Sequence, residues 1–278
     1  MRALSFEIDG RGSYGLLDGG QVFAVTEDWR HRFEDLKSVL EASALHELPA
    51  NVASEPVDED RMDWLPPIPN PGKIICVGVN YRPHVEEMGR DVPAKPLLFV
   101  RFPSSIVGHR QPLIRPVVSE QFDFEGEVAI VIGRRASGVS RDASLEYVAG
   151  YTAFMDGTVR DWQRHTTQFT PGKNFTASGA MGPYLVSRDE SGDELGIETR
   201  VNGETMQSGH TGELIFDVPA LIEYCSTFTV LEPGDIIATG TPGGVGAARK
   251  PPVWLKPGDR LEVAVEPLGV LENAVIEG

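Results

Sequence analysis

The sequence predicts an α+β fold that is mainly β. Residues 1 to about 30 alternate apolar and polar and are interrupted by Asp-Gly and Gly-Gly turns, a pattern typical of a small β-meander. Short apolar segments typical of strands recur from Lys73 to Met155. Beyond Gly182-Pro183 the pattern again indicates strands, with one helical pattern from Val218 to Tyr224. We therefore expect strands to dominate the chain.

The first part of the chain is predicted to be a small β-rich domain, residues 1–68. After the meander comes one helix, marked by apolar residues at helical spacing: Leu36, Val39, Leu40 and Ala44. The segment from Ala53 to Pro71 is acidic and rich in proline, which is typical of a linker. A domain boundary near residue 69 follows, with residues 69–278 forming the second domain.

The composition indicates a soluble globular protein with a small-molecule partner. Hydrophobic residues make up 41% of the 278 residues and charged residues 24%, which is ordinary for a globular protein. A net charge of −16 argues against nucleic acid or an anionic membrane as a partner, because both need a cationic surface. No apolar run is long enough for a signal segment or a bilayer span. Cys76 and Cys225 lie in apolar settings that favour core packing over a disulfide, so we expect a cytoplasmic, reducing location.

Three carboxylates occur at every second residue in the segment FDFEGEVAIVIG, Phe122 to Gly133. Because side chains on a strand alternate between faces, Asp123, Glu125 and Glu127 are expected to share one face. Neighbours on that face lie roughly 6 to 7 Å apart, so each pair repels by about 2 to 3 kcal/mol at an effective dielectric of about 20. Such acids either line a solvated edge, which is commoner, or enter the core beside a cation. The apolar continuation from Ala129 to Ile132 is typical of a strand buried on both faces and weighs against the solvated edge.

A histidine and a glutamate follow the first strand of the second domain. Pro83 cannot continue that strand, so the residues after it form a loop or a short helical turn. His84 and Glu87 are three residues apart and can meet on one face. For this pair alone, a solvated or structural histidine is the commoner case.

Two later segments carry further polar residues. Arg160 and Gln163 share a face where a strand turns into a helix, and Lys173 follows in a segment broken by proline and glycine. A glycine-rich loop, residues 239–246, lacks the Gly-Lys-Ser/Thr of a nucleotide P-loop. Taken singly, these cations are more often solvated than functional.

The order of these features resembles the fumarylacetoacetate hydrolase family from about residue 70 to residue 278. The matching features are a Tyr-x-x-His-x-x-Glu loop, a Glu-x-Glu strand with an aspartate about 30 residues later, a lysine after Arg-Asp-x-Gln, and a Gly-Thr-Pro-Gly-Gly-Val-Gly loop. The resemblance includes acylpyruvate hydrolases and 2-hydroxyhepta-2,4-diene-1,7-dioate isomerases. It implies the mixed β-roll of that family for residues 69–278, and a homodimer.

The resemblance also implies a divalent metal bound by Glu125, Glu127 and Asp156. A set of carboxylates without histidine or cysteine suits a hard cation, so Mg²⁺ is preferred and Mn²⁺ or Ca²⁺ is possible. Asp123 lies on the same expected face, but the family's ligand pattern does not require it. We expect Asp123 beside the ligands and not among them.

Further roles follow from the same resemblance. His84 and Glu87 match a general-base dyad carried on a lid, in which the carboxylate orients the imidazole. The polar cluster that holds oxyanion charge and delivers a proton is matched by Arg160, Gln163 and Lys173. Substrate contacts are expected from Tyr81, Arg101 and Thr241. The chain departs from many relatives at Arg101, where lysine is usual, and at His210, where asparagine is common, and His165 is a further possible contact.

The implied substrate is a small 2-oxo acid that binds the metal through its carboxylate and keto oxygens, so that the metal stabilises an enolate. The expected function is Mg²⁺-dependent hydrolysis of a C–C bond in an acylpyruvate or related 2,4-dioxo acid, in the catabolism of aromatic compounds or sugar acids. The alternative is an isomerase or decarboxylase of a hydroxymuconate-type or oxo diacid, including oxaloacetate, at the same site. A non-catalytic, metal-dependent binder of oxo acids is a more distant alternative.

Overall fold

The N-terminal strands form a meander, as predicted. The structure is a computed structural model that describes residues 1–89 and 91–278. The turns of the meander have the positive φ angles that their sequences favour, 52° and 74° at Asp9 and Gly10 and 54° and 81° at Gly19 and Gly20. The elements of this part are β1 (Arg2–Ile8), β2 (Arg11–Asp18), β3 (Gln21–Ala24), α1 (Glu27–Arg32), α2 (Leu36–Glu41) and β4 (Met62–Trp64).

The predicted helix of this part is α2. Asp35 begins it with a capping box, because its carboxylate accepts from the Ser38 N–H at 2.7 Å while Ser38 Oγ accepts from the Asp35 N–H at 3.1 Å. The segment predicted to be a linker contains β4, which pairs with β1 at Phe6↔Trp64. Three residues are too few for a periodic pattern, so the sequence did not reveal this strand.

Among the described residues, the central part of the chain contains nine strands and four short helices. Its elements are β5 (Ile74–Gly78), α3 (Arg82–Glu87), β6 (Leu97–Arg101), β7 (Ile106–Val107), β8 (Leu113–Arg115), β9 (Phe122–Asp123), β10 (Gly126–Ile132), β11 (Val148–Met155), β12 (Thr158–Val159), α4 (Arg160–Gln163), α5 (Thr170–Lys173), β13 (Gly179–Ser187) and α6 (Arg188–Ser191).

The remaining part is again mainly β, and its one predicted helix extends four residues past Tyr224. Its elements are β14 (Gly196–Val201), β15 (Glu204–His210), α7 (Val218–Phe228), β16 (Ile236–Ala238), β17 (Arg260–Glu266) and β18 (Gly269–Glu277). Asn202 and Gly203 form the turn between β14 and β15 with φ angles of 54° and 80°, as an Asn-Gly hairpin requires. Short 3₁₀ helices cover Leu45–Asn51, Glu59–Arg61, Pro103–Ser105, Arg141–Tyr147, Thr211–Glu213 and Gly246–Ala248.

Two mixed sheets carry all of these strands except β9 and β12, which pair with each other in a separate two-stranded sheet. The main sheet has the order β3-β2-β1-β13-β11-β10-β16-β5-β6, with β4 beside β1 and β7 beside β13, and the second sheet has the order β15-β14-β17-β18-β8. Every residue of β10 is buried. Val128 and Ile130 belong to one hydrophobic cluster, with Val263 of β17, while Ala129 and Val131 belong to another. The mainly β fold and the two-sided burial of this strand are thus confirmed.

The segment predicted to be a single acidic strand is divided into β9 and β10. The two strands have different partners, since β10 pairs with β11 as far as Gly126↔Met155 and β9 pairs with β12 at Thr158↔Asp123. The segment from β9 to β10 and the segment from β11 to β12 are therefore both interrupted at the same level, where Glu125 faces Asp156. The Asp156 N–H donates to the Glu125 carbonyl at 2.8 Å across this break.

The two parts of the chain share one sheet. β1 pairs with β13 at Ala3↔Leu185, and the second hydrophobic cluster contains residues from both sides of position 69, such as Leu36 and Ile236. The division into domains at residues 68 and 69 stays a prediction. In the part of the chain that the structure describes, no helix has the length and apolarity needed to cross a membrane.

Candidate active site

The three predicted metal ligands converge where two neighbouring segments are interrupted, one between β9 and β10 and the other between β11 and β12. Glu125, Glu127 and Asp156 are all buried, and each places a carboxylate oxygen within 4.8 Å of the others. Glu125 and Asp156 lie in irregular backbone, where the alternation of a regular strand does not set the direction of their side chains. Antiparallel pairing of β10 with β11 brings these residues together across their separation in sequence.

The donor set fits a hard divalent cation, because it consists of carboxylates alone. Burial raises the pKa of Glu127 well above its usual range, and the neighbouring Asp156 and Glu125 raise it further. Burial acts in the same direction on Glu125, but Arg160 and Lys173 hold the pKa of that carboxyl well below its usual range. A cation at this centre would therefore stabilise the ionised form of Glu127.

Lys173 lies against two of the three predicted ligands. Its ammonium donates to Asp156 Oδ2 at 2.6 Å and is also paired with Glu125 Oε2. Burial acts to lower the pKa of Lys173, but Asp156 and Glu125 raise it above its usual range. The segment expected to be broken is the short helix α5, which accepts Pro171 because proline fits the first turn of a helix.

Arg160 and Gln163 meet on α4 as predicted, with Arg160 Nη1 donating to Gln163 Oε1 at 3.1 Å. Arg160 Nη2 lies 2.6 Å from Glu125 Oε1, and Arg160 Nε donates to Asp123 Oδ2 at 2.7 Å. Asp123 also accepts from the Gly246 N–H at 2.8 Å. Its carboxylate is thus held by protein donors and lies outside the converging set of ligands.

The predicted dyad lies on α3. His84 Nδ1 is 2.7 Å from Glu87 Oε1, the i, i+3 contact expected from the sequence, and His84 is only 6% exposed. The second oxygen of Glu87 accepts from the Gly244 N–H at 2.8 Å. The glycine-rich loop therefore contacts the helix that carries the histidine.

A cavity of about 50 Å³ joins the dyad to the carboxylates. It is lined by eight predicted site residues: His84, Glu125, Glu127, Asp156, Arg160, Gln163, Lys173 and Thr241. Phe99, Phe169 and Met88, which the sequence analysis did not select, add apolar walls. The cavity is much smaller than the roughly 300 to 1,000 Å³ of ordinary ligand pockets, and His84 of α3 and the adjacent Met88 form part of its wall.

Arg101 lies behind the cavity and not in its lining. Its Nη1 donates to Asp156 Oδ1 at 2.6 Å and to the Gly157 carbonyl at 2.9 Å. Its Nη2 donates to Ser178 Oγ at 2.7 Å and to the Ser105 carbonyl at 3.3 Å, and its Nε donates to Ser105 Oγ at 3.1 Å. All five N–H groups of this buried guanidinium therefore have protein acceptors. Its predicted substrate contact stays a prediction, while its contact with Asp156, a predicted metal ligand, is direct.

The other two predicted substrate contacts differ from each other. The Tyr81 hydroxyl is fully buried, lies outside the cavity lining, and has no hydrogen-bond partner among the described residues. Burial raises the pKa of Tyr81, and Glu127 and Glu213 raise it further. Thr241 does line the cavity, but its hydroxyl donates to the Gly126 carbonyl at 2.8 Å and accepts from Gln207 Nε2 at 2.8 Å. Gln207, which is 1% exposed, thus fixes the start of the glycine-rich loop.

Sequence reasoning also missed a strained residue at the cavity. Val79 lines it with a φ of 59°, a left-handed conformation that costs a β-branched residue about 1 to 3 kcal/mol. The next residue, Asn80, is fixed by its side chain, which accepts from the Phe216 N–H at 2.9 Å and donates to the Thr239 carbonyl at 2.8 Å. A single φ angle leaves no periodic pattern in a sequence, so the conformation of Val79 could not be predicted.

The two histidines noted as departures or further contacts lie outside the cavity lining. His165 is exposed and packs against Trp162 with the ring centroids 4.8 Å apart. His210 is exposed, and its Nδ1 accepts from the Gly212 N–H at 3.0 Å. His210 therefore caps a 3₁₀ turn in the structure.

Comparisons with known proteins agree with this architecture. Residues 73–276 match the family model described as fumarylacetoacetate (FAA) hydrolase C-terminal. The mitochondrial oxaloacetate tautomerase Fahd2a of Rattus norvegicus is 43% identical over 223 residues, which cover 79% of this chain and 71% of that protein. The fumarylacetoacetate hydrolase EaFAH from psychrophilic Exiguobacterium antarcticum has a TM-score of 0.89 at 36% identity, with 100% of both chains covered. A probable 2-hydroxyhepta-2,4-diene-1,7-dioate isomerase from Mycobacterium abscessus has a TM-score of 0.82 at 29% identity, with 100% of this chain and 99% of that chain covered.

Proposed function

Because the chain belongs to the fumarylacetoacetate hydrolase family, we propose that this enzyme is a divalent-metal-dependent tautomerase of a small 2-oxo diacid, with oxaloacetate as the leading substrate. The observation that carries the proposal is one small cavity lined by the histidine of a His-Glu dyad, three carboxylates and a buried ammonium. The rat relative named as an oxaloacetate tautomerase and the isomerase-like structure support this choice. Both are closer to the isomerase alternative of the sequence analysis than to its first expectation, C–C hydrolysis.

We take Mg²⁺ as the metal, with Mn²⁺ or Ca²⁺ as possible substitutes, because Glu125, Glu127 and Asp156 offer only carboxylate oxygens. When bound, the cation would supply a positive charge that polarises the keto group of the substrate. Arg101 would support this site by holding Asp156 from behind.

Enolisation moves one proton and neither gains nor loses atoms. The C–H bond beside the keto group breaks, a C=C bond forms, and the keto oxygen receives a proton. If His84 donates its Nδ1–H to Glu87, Nε2 has a free lone pair and can take the proton from carbon. Glu87 then stabilises the imidazolium, and the Lys173 ammonium, which pairs with Glu125 and Asp156, can donate a proton to the oxygen. A proton passed from His84 to Lys173 through solvent returns both groups to their starting states.

The buried charges suit an anionic substrate. Four buried carboxylates, Asp123, Glu125, Glu127 and Asp156, face three buried cations, Arg101, Arg160 and Lys173. If all are ionised, a divalent ion leaves this group with one net positive charge. Such a site would attract a carboxylate and the developing enolate oxygen.

Hydrolysis of an acylpyruvate or related 2,4-dioxo acid is the second candidate. The family's name and the 36% identity to a fumarylacetoacetate hydrolase of the same fold favour it. In this version His84 would take a proton from water, and the water oxygen would attack the distal carbonyl. The same polar residues would hold the oxyanion.

A substrate panel tests the proposal. Oxaloacetate, acylpyruvates and hydroxymuconate-type diacids would be incubated with Mg²⁺ or Mn²⁺, and products identified by NMR. Metal-dependent keto-enol interconversion of oxaloacetate, with incorporation of solvent deuterium at the carbon beside the keto group, is expected. Release of a carboxylic acid and pyruvate would favour hydrolysis, and release of CO₂ would favour decarboxylation. Binding of oxalate with Mg²⁺ but no turnover of any oxo acid would favour a binder.

We also propose a homodimer and a cytoplasmic location. The adjacent Val117 and Val118 are 68% and 56% exposed, which is suited to burial against a second copy. Sedimentation velocity tests the dimer. The buried free thiols of Cys76 and Cys225 suit a reducing compartment, which cell fractionation tests.

A further inference from the structure

The glycine-rich loop donates backbone N–H groups to three carboxylates of the site. The hydrogen bonds run from Gly240 to Glu127 Oε2 at 2.9 Å, from Gly244 to Glu87 Oε2 at 2.8 Å, and from Gly246 to Asp123 Oδ1 at 2.8 Å. One short loop thus fixes a metal ligand, the partner of the general base and the partner of Arg160. The distance between the dyad and the carboxylates depends on where this loop lies.

Gly244 is the residue through which the loop contacts the dyad. Its φ is 101°, which side chains rarely adopt, and a Cβ there would lie 2.3 Å from the carbonyl oxygen of Met206 on β15. The loop is therefore packed tightly against β15 at the point where it donates to Glu87.

Arg249 joins Gly244 to β15. Its Nε donates to the Gly244 carbonyl at 3.1 Å, and its Nη2 donates to the Met206 carbonyl at 2.6 Å. The start of the loop has a separate attachment to the same strand, since Gln207 Nε2 donates to Thr241 Oγ1 and to the Pro242 carbonyl at 2.9 Å. Arg249 is half-buried and is absent from the cavity lining.

We propose that Arg249 is a positioning residue for the general base, acting through Gly244 and Glu87 on His84. The guanidinium fixes Gly244, the Gly244 N–H fixes one oxygen of Glu87, and the other oxygen of Glu87 orients the imidazole. This inference rests on the proposed function in one respect, that His84 is the base. Its effect on the docking of α3 is independent of the reaction.

Kinetics of Arg249→Met test the catalytic part of the proposal. Hydrogen bonds of a charged group contribute about 1.5 to 3 kcal/mol, so we expect kcat to fall by about 10-fold to 100-fold. The metal Kd should change by less than about twofold, because Arg249 touches no ligand. Arg249→Lys keeps a charge that can reach one of the two carbonyls and should recover part of kcat.

A double-mutant cycle separates positioning from general damage. If Arg249 acts through Glu87, adding Arg249→Met to Glu87→Ala should lower kcat by less than about twofold more. Losses that multiply fully would overturn the proposal. Arg200→Met is a matched control, since Arg200 is also half-buried, lies on β14 beside β15, and pairs only with carboxylates among the described residues. It should leave kcat unchanged.

Hydrogen exchange provides a readout that needs no substrate. Peptides covering α3 should exchange faster in Arg249→Met than in the wild type or in Arg200→Met, because the Gly244 contact with Glu87 is loosened. Unchanged exchange of α3 would overturn the proposal even if no oxo acid is turned over. Faster exchange together with an inactive wild type would instead reject the proposed reaction and keep the positioning role.

Discussion

His84 Nδ1 and Glu87 Oε1 lie 2.7 Å apart on the same short helix, with His84 almost fully buried at the cavity. The contact directs the other ring nitrogen away from Glu87. Glu87 cannot turn freely, because its second oxygen is held by the Gly244 N–H. This geometry suits the proposed role of His84 as a base, and His84 lies outside the converging set of carboxylates.

His84→Ala should remove most turnover and leave metal binding intact. A general base contributes about 100-fold to 10,000-fold, so kcat should fall by that range. Isothermal titration with Mg²⁺ or Mn²⁺ should give the wild-type Kd, since the carboxylates are untouched. The exposed His46 provides the control, and His46→Ala should be fully active. Normal turnover by His84→Ala would reject the dyad.

Glu125→Gln and Asp156→Asn should each weaken metal binding by more than about tenfold, the scale seen even for groups that only support a ligand. Each change removes one anionic oxygen from a set of three. The same titration measures both variants, and Asp142→Asn, at an exposed position of a 3₁₀ helix, serves as the control. A wild-type Kd in both variants would place the metal elsewhere.

The alternation of the strand could place three carboxylates together but could not distinguish Asp123 from its neighbours. Alternation made Asp123, Glu125 and Glu127 equivalent, and only family order selected the last two. In the structure the difference arises from distant partners, since Asp123 turns to Arg160 and to the Gly246 N–H. Contacts between residues so far apart leave no local pattern.

The buried strand β10 was predictable for the opposite reason. Its unbroken apolar run is a local property, and the structure buries every residue of it. Gln207 and Arg249, by contrast, act on backbone carbonyls in other segments. A backbone carbonyl occurs at every position, so a residue that binds one has no recognisable spacing.

Asp123→Asn should lower the free energy of unfolding by about 3 to 5 kcal/mol, the usual cost of breaking a buried ion pair. The new amide would also direct an N–H group at backbone N–H donors. Urea denaturation measures the loss. The metal Kd of the folded variant should change far less than that of Asp156→Asn, and an equal change would identify Asp123 as a ligand.

Removing the metal should lower the Tm more in Lys173→Met than in the wild type. The ammonium of Lys173 pairs with Glu125 and Asp156, so Lys173→Met leaves two buried carboxylates short of positive charge. We expect no turnover and a lower Tm in EDTA. Mg²⁺ at 100 times its Kd stabilises a folded protein by about 2.7 kcal/mol.

The Mg²⁺-induced rise in Tm should be larger for Lys173→Met than for the wild type, because the cation replaces the lost charge. Differential scanning calorimetry with and without EDTA measures this rise. The exposed Lys256 supplies the control, and Lys256→Met should show the wild-type rise. An equal or smaller rise in Lys173→Met would contradict the role of Lys173 as a counter-charge to the ligands.

His109, which does not line the cavity, should make the free energy of unfolding depend on pH. Burial, helped by the neighbouring Arg110, lowers the pKa of His109 to about 4, while in the unfolded chain the pKa is 6.5. Between these values the unfolded chain binds more protons, so the free energy of unfolding falls as the pH is lowered. The shift predicts a loss of about 2 kcal/mol between pH 7 and pH 5. His109→Gln keeps an acceptor for the Glu272 N–H but cannot titrate, so urea denaturation should show a smaller loss over that interval. The same pH dependence in both proteins would show that His109 is not its source.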